Sequence, residues 1–342
     1  PASLTKIVTG MYVIEEQKLA LDTMITPSLD CFLLNDPKLG EVGLRHPKHR
    51  LDHDATIMGL KKGETLSVEA LLYGLILLSG SEAANALAEA SSASIATFIE
   101  GMNCYVKNLG CASTQFTNPS GMHDPEQVAC AHDFALIMRR ALQLPLFMKI
   151  MGTKTYKCPS TNKQPERTLY HTNRLLRKGA YSYPLVIGGK TGYTSKALSN
   201  LAVAAKNEDR TLIAVVLGCS TKTSRYDDVI RMFNTAFEES KVDRLLVGAK
   251  RFTHKMKGAS SEIHGQLRED ISISYYPSEE PKASAFVFWD AHLPVKKGDK
   301  VGEVRILDEN KEILVSAPLY ATKEVDRTFS KWVSDLFSQK AK

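Results

Sequence analysis

The stretch Val186-Ile187-Gly188-Gly189-Lys190-Thr191-Gly192-Tyr193-Thr194, with the two apolar runs behind it, Leu198 to Lys206 and Thr211 to Gly218, decides the architecture. Asn207-Glu208-Asp209 is a turn composition between runs of strand length, so the runs form an antiparallel hairpin and the glycine-rich stretch lies beside it as a third strand. Glycine there lets a substrate backbone lie against the strand edge. Downstream, Tyr226 to Glu239 carries Val229, Met232, Phe233 and Phe237 on one face, a helix packed back onto that sheet. Upstream, Ala131 to Leu142 is helical, Leu146 to Ile150 adds a short helix, and 152–184 is a polar segment. Ser67 caps an apolar helix from Val68 to Leu78, which Ser79-Gly80-Ser81 interrupts before a second helix over about Glu82 to Leu109. Residues 26–63, rich in Pro, Gly, Asp and His, read as one long irregular excursion. Leu4, Ile7, Val8 and Met11 fall at helical spacing over Ala2 to Lys18, with Ser3 and Lys6 on a different face of an amphipathic helix. After about Val247 the pattern turns to short strands, Ile271 to Tyr276, Ala285 to Trp289, Gly302 to Leu307 and Ile313 to Pro318. The fold class is α/β in the α+β sense, with an antiparallel sheet flanked by helices over 1–245, a small all-β domain over 246–325 and an amphipathic tail over 326–342.

The chain has 342 residues, 43% hydrophobic and 24% charged, a globular composition that excludes disordered and collagenous classes. The excess of 44 Lys and Arg over 38 Asp and Glu is too diffuse to propose nucleic acid as a partner. The longest apolar run, Leu71 to Leu78, is far short of the roughly 20 residues that cross a bilayer. Cys31, Cys104, Cys111, Cys130, Cys158 and Cys219 form no Cys-x-x-Cys pair, so most are expected to be small buried hydrophobes. The chain opens at Pro1 directly on a motif that carries chemistry, and a trimmed chain is expected, its targeting segment and leading strands missing.

That motif is Ser3-Leu4-Thr5-Lys6, Ser-x-x-Lys at a helix start, a spacing that stacks both side chains on one face. A neutral lysine amine in a desolvated site beside another cation accepts the serine proton and makes a nucleophile without histidine. Lys190-Thr191-Gly192 supplies donors for a substrate carboxylate, and a strand amide near Tyr193 pairs with the Ser3 amide as an oxyanion hole. Ser79-Gly80-Ser81, at a break between helices, places a hydroxyl where it can relay protons.

The order Ser-x-x-Lys, Ser-x-polar, Lys-Thr-Gly, in the settings helix start, inter-helix turn and strand, is the trio of penicillin-recognising serine acyltransferases. With Gly63-Glu64-Thr65-Leu66-Ser67-Val68, Phe116-Thr117-Asn118-Pro119-Ser120-Gly121 and Asn173-Arg174-Leu175-Leu176, the chain resembles the low-molecular-mass penicillin-binding proteins, serine D-alanyl-D-alanine carboxypeptidases of the penicillin-binding protein 5 type. The resemblance implies Ser3 as nucleophile, Lys6 as general base and Ser79 as proton relay. It also implies substrate contacts from Lys190, Thr191, Gly192, Tyr193 and Ser81, with Arg174 and Arg225 near the substrate carboxylate. It implies no cofactor and no metal, peptidoglycan stem peptides as substrate, β-lactams as covalent inhibitors, and an extracytoplasmic enzyme whose C-terminal helix lies on the membrane surface.

One position departs from the family pattern, because the second motif usually ends in asparagine and here ends in Ser81, with Asn85 one turn further on. The shorter hydroxyl is expected to give up one contact of the two-sided amide. The loop 30–60 also looks longer than usual, and its His46, His49, His53, Asp52 and Asp54 sit among Lys and Arg that repel a metal ion. Two other readings stand beside the carboxypeptidase: a class A-like β-lactamase, which needs a carboxylate-bearing loop for deacylation, and a feeble peptidoglycan-binding or scaffolding homologue.

Overall fold

Leu4, Ile7, Val8 and Met11 are fully buried, and so are most of their neighbours on α1 (Thr5–Glu15), which follows a 3-10 turn at Ala2–Leu4. The expected amphipathic helix is thus a central one, sunk into the core on nearly every side. The computed structural model describes residues 1–36, 47–208 and 210–330 and divides into two units, Pro1–Phe237 and Glu238–Lys342.

In the first unit a small ladder of β1 (Met24–Ile25) and β2 (Leu66–Ser67) brackets the excursion and leads into α2 (Val68–Leu77). Ser67 caps α2 by accepting the Ala70 N–H (3.2 Å). The expected single helix from Glu82 is two, α3 (Ser81–Ser91) and α4 (Ile95–Asn108). Serines 91, 92 and 94 explain the break: the Ser91 hydroxyl turns back to the Leu87 carbonyl, and Ser94 caps α4 by accepting the Thr97 N–H (3.1 Å). Next come α5 (Ala131–Ala141) and α6 (Pro145–Gly152). The polar segment holds a short hairpin, β3 (Thr155–Cys158) with β4 (Arg167–Tyr170), its strands only four residues each.

The three-stranded sheet stands as expected, with β5 (Val186–Thr194), β6 (Leu198–Lys206) and β7 (Thr211–Cys219) in the order β5-β6-β7 and antiparallel throughout. The central strand β6 is buried on both faces: Ala202 and Ala204 join the core of α1 to α6, while Leu201, Val203 and Ala205 meet Tyr226, Val229 and Phe233 of α7 (Ser224–Glu238). Burying the larger of these, Leu201, Val203, Val229 and Phe233, contributes roughly 1.5–3 kcal/mol each.

The second unit begins earlier than the expected residue 246, because β8 (Val242–Val247) pairs with β11 (Ile271–Tyr275) and so belongs to it. Its five-stranded sheet runs β12-β13-β14-β10-β9, where β9 is Arg251–His254, β10 Ile263–Leu267, β12 Ser284–Trp289, β13 Lys300–Leu307 and β14 Ile313–Ala321. It has its own core, including Val247, Ile263, Val304, Ile306 and Leu319. Most of the tail's apolar face, Trp332, Val333, Leu336 and Phe337, lies outside the described residues. All six cysteines are free, and Cys31, Cys111 and Cys158 are buried; Cys130 and Cys219 are half-buried and Cys104 exposed, fewer buried than expected.

Candidate active site

The 3-10 turn before α1 brings Ser3 to the surface of a cleft and Lys6 beneath it, fully buried. The Lys6 Nζ stands 3.0 Å from Ser3 Oγ, 3.2 Å from Ser81 Oγ and 2.5 Å from the Ser120 carbonyl. Burial lowers its pKa to about 7, against an opposing pull from the charge of Glu82. A neutral amine has two N–H bonds and one lone pair; the Ser120 carbonyl can only accept, so one N–H goes there, and the Ser3 and Ser81 hydroxyls, each able to donate or accept, share the other N–H and the lone pair. With Ser81 accepting, the lone pair faces Ser3 and the Ser3 hydroxyl donates to Lys6.

The Ser120 carbonyl owes its place to Asn118, fully buried. Asn118 Oδ1 accepts the N–H groups of Gly121 (2.7 Å) and Met122 (3.0 Å), and its Nδ2 donates to the Met122 carbonyl (3.0 Å). Thr9 of α1 pins the same loop by donating to the Pro119 carbonyl (2.6 Å). Two glycines then admit close backbone approach to the nucleophile. A Cβ on Gly121 (φ +87°) would meet the Ala2 carbonyl at 2.1 Å, and one on Gly192 would stand 3.2 Å from the Ser3 nitrogen. The edge strand β5 therefore runs past the Ser3 amide, as an oxyanion hole needs.

Ser79 lines the cleft with a backbone φ of +64°, while Ser81, expected on the substrate, is fully buried and bonded to Lys6 instead. Asn85 does not reach in. It belongs to a polar stripe along one face of α3 that fastens the excursion. The Ser81 N–H donates to the Thr56 carbonyl (2.9 Å), and Glu82 Oε1 accepts from Gly59 (2.9 Å) and Leu60 (3.2 Å). Asn85 Nδ2 donates to the His49 carbonyl (2.9 Å), and Glu89 Oε2 accepts the Ser28 N–H (3.0 Å). His49 pairs with Asp30 inside the excursion (2.6 Å), and Lys48 ties the excursion to Asp124 of the neighbouring segment (3.3 Å). His46 lies outside the described residues.

On the opposite wall, Thr191, Gly192, Tyr193 and Arg225 line the cleft, whose volume is about 680 Å³. Arg225 donates to the Gly192 carbonyl (3.0 Å) and lies 4.9 Å from the centre of the Tyr226 ring. Lys190, expected on the substrate carboxylate, is fully buried and donates to the Thr191 carbonyl (2.8 Å). Burial first, then Lys6 and Arg225, hold its pKa well below the usual lysine range. The same burial and the Lys190 charge lower buried His171 to about 3, a neutral ring with the Asn173 N–H on Nδ1 (3.0 Å). Arg174 is not brought to the cleft: it is exposed, 6.0 Å from the Tyr181 ring centre.

A family model described as D-alanyl-D-alanine carboxypeptidase matches residues 1–221. The chain belongs to that family. The C-terminal domain model of penicillin-binding protein 5 matches residues 253–327 of this carboxypeptidase-family chain. It is 29% identical over 337 residues to D-alanyl-D-alanine carboxypeptidase DacF of Bacillus subtilis (strain 168), covering 96% of this chain and 80% of the relative. It is 30% identical over 345 residues to DacC of Escherichia coli (strain K12), covering 95% and 78%. Penicillin binding protein 5 from Haemophilus influenzae superposes with a TM-score of 0.62 at 27% identity, covering 96% of this chain and 90% of that one.

Proposed function

We propose that this chain is a serine D-alanyl-D-alanine carboxypeptidase that trims peptidoglycan stem peptides through an acyl-enzyme on Ser3. The observation that carries the reading is the fully buried Lys6 amine 3.0 Å from the Ser3 hydroxyl, within reach of its proton. Lys6 takes the Ser3 proton as Oγ attacks the carbonyl between the two D-alanines. The same proton passes to the leaving D-alanine amine, directly or through Ser79 on the cleft wall. Water then attacks the ester and gives a proton to Lys6; the bond to Ser3 Oγ breaks, and Lys6 returns that proton to Oγ, which restores both residues. Thr191 and Arg225 face the substrate's terminal carboxylate, with Lys190 buried beside Thr191. The Ser3 amide and the neighbouring β5 edge hold the developing oxyanion.

Release of free D-alanine from a D-Ala-D-Ala peptide tests the reading, together with covalent labelling of Ser3 by a tagged penicillin. A persistent adduct with D-alanine release is expected; rapid penicillin turnover would favour the β-lactamase, and neither activity would leave the scaffolding homologue. The enzyme works outside the cytoplasm in this reading. Phe329, 79% exposed, opens an amphipathic tail that lies on an anionic membrane surface. Chains ending near Val325 should bind anionic vesicles less well than the full chain; equal binding would remove the anchor.

A further inference from the structure

The turn that carries Ser79 and Ser81 does not hold itself. Ser79 sits at φ +64°, in the left-handed region where a residue with a side chain is strained, so its neighbours must fix it. Segment 56–60 of the excursion does so from outside. The Thr56 carbonyl accepts the Ser81 N–H (2.9 Å), and a Cβ on Gly80 would stand 3.2 Å from the Met58 nitrogen. Glu82 closes the clamp, its Oε1 accepting the N–H groups of Gly59 (2.9 Å) and Leu60 (3.2 Å). A glutamine would make the same two bonds, yet the residue is a carboxylic acid, 1% exposed, whose Oε2 has no hydrogen-bond partner among the described residues. A buried carboxylate with one oxygen unpaired is costly unless an opposite charge answers it. Lys6 is placed to be that charge. Its Nζ is 3.2 Å from the Oγ of Ser81, the residue before Glu82, and it too is fully buried. The charged side chains that act on one another here are Glu82 from α3, which favours the protonated amine of Lys6, and Lys190 from β5, of like sign to Lys6.

We propose that Glu82 is a positioning residue for acylation, which clamps the Ser79–Ser81 turn to segment 58–60 and gives the buried Lys6 amine its counter-charge. This inference rests on Lys6 as the base of the carboxypeptidase reading. The two jobs serve one step. The clamp keeps the Ser79 and Ser81 hydroxyls at the cleft and at Lys6, and the charge keeps the amine basic enough to take the Ser3 proton. A group that must accept one proton and then return it works best when its pKa lies near the operating pH, and an amine buried without a counter-charge falls below that range.

The test is the rate of covalent labelling by a tagged penicillin, followed against pH in the full chain and two variants. Glu82→Gln keeps the acceptor oxygen and removes the charge, so protonated Lys6 loses its partner and the neutral base forms at lower pH. The midpoint of the profile should fall by about one pH unit, as for loss of a close opposite charge, and labelling at pH 6 should be about fivefold faster than in the parent. A purely structural role could only slow the reaction, so a gain at low pH separates the two. Glu82→Asp keeps the charge on a shorter arm: its midpoint should stay near the parent's while the plateau rate drops as the clamp slackens. An unmoved midpoint in Glu82→Gln, or an equal fall in Glu82→Asp, would overturn the inference and leave the carboxypeptidase reading intact. Should Glu82→Gln fail to fold, Glu82→Asp decides, a parental midpoint with a lower plateau supporting the inference and a lowered midpoint overturning it. No labelling of the parent at any pH would overturn both.

Discussion

The proton inventory around Lys6 sets what single substitutions do. Ser3→Ala removes only the attacking oxygen, so penicillin labelling should vanish while the circular dichroism spectrum and melting temperature stay near those of the parent. With a Lys6 pKa near 7, the competent neutral base gains population as pH rises. Labelling should therefore accelerate from pH 6 to 8 and level off above; a rate flat across that interval would remove Lys6 as the base. Ser81→Ala takes away one of the three partners but leaves the Ser120 carbonyl and Ser3 in place. The lost hydrogen bond is worth ~1 kcal/mol, so acylation should slow about fivefold. The Asn85 Nδ2 does not stand in for it, since it donates to the His49 and Cys31 carbonyls.

Among the elements, the loop 117–122 depends most on one side chain. Asn118→Ala leaves the Gly121 and Met122 amides without their acceptor, and at ~1 kcal/mol or more for each bond the chain should lose about 2–4 kcal/mol in urea unfolding. The Ser120 carbonyl should drift from Lys6, so acylation falls further than stability alone explains. Sequence reading reached this loop only as a string shared with a family. Asn118 acts through amides its own turn brings together, and nothing in composition or period marks it. The sheet was legible because β6 alternates two buried faces behind a clear turn, and Ser3 and Lys6 because three residues make one helical face. The hairpin β3 and β4 was not, because strands of four residues give too short an alternation to stand out in a polar segment. The split at Ser92 was overlooked because 82–109 keeps helical composition through its serines. Lys190 and Ser81 were assigned to substrate from motif position, which says nothing of depth; both are buried, one donating to the Thr191 carbonyl and the other bonded to Lys6.

At the scale of the whole molecule, the two units have separate cores, one spanning α1 to α6 and the other within the β strands after residue 238. Calorimetry should show two transitions, and saturation with penicillin should raise only the one that belongs to Pro1–Phe237, because the ligand contacts that unit alone. A single transition moving as a whole would mean that the units melt cooperatively. The Lys6 amine meets partners 3, 75 and 114 positions along the chain, and Gly192 of β5 lies against the Ser3 amide from further still. Contacts of such separation form only after the intervening loops have closed, the slow part of folding a chain of this topology. A half-folded chain with its helices already in place therefore has no working base, and the reactive serine stays inert until the first unit is complete. In a refolding experiment the capacity to take up labelled penicillin should lag behind helical ellipticity, which makes the drug a chemical timer for the last step of assembly.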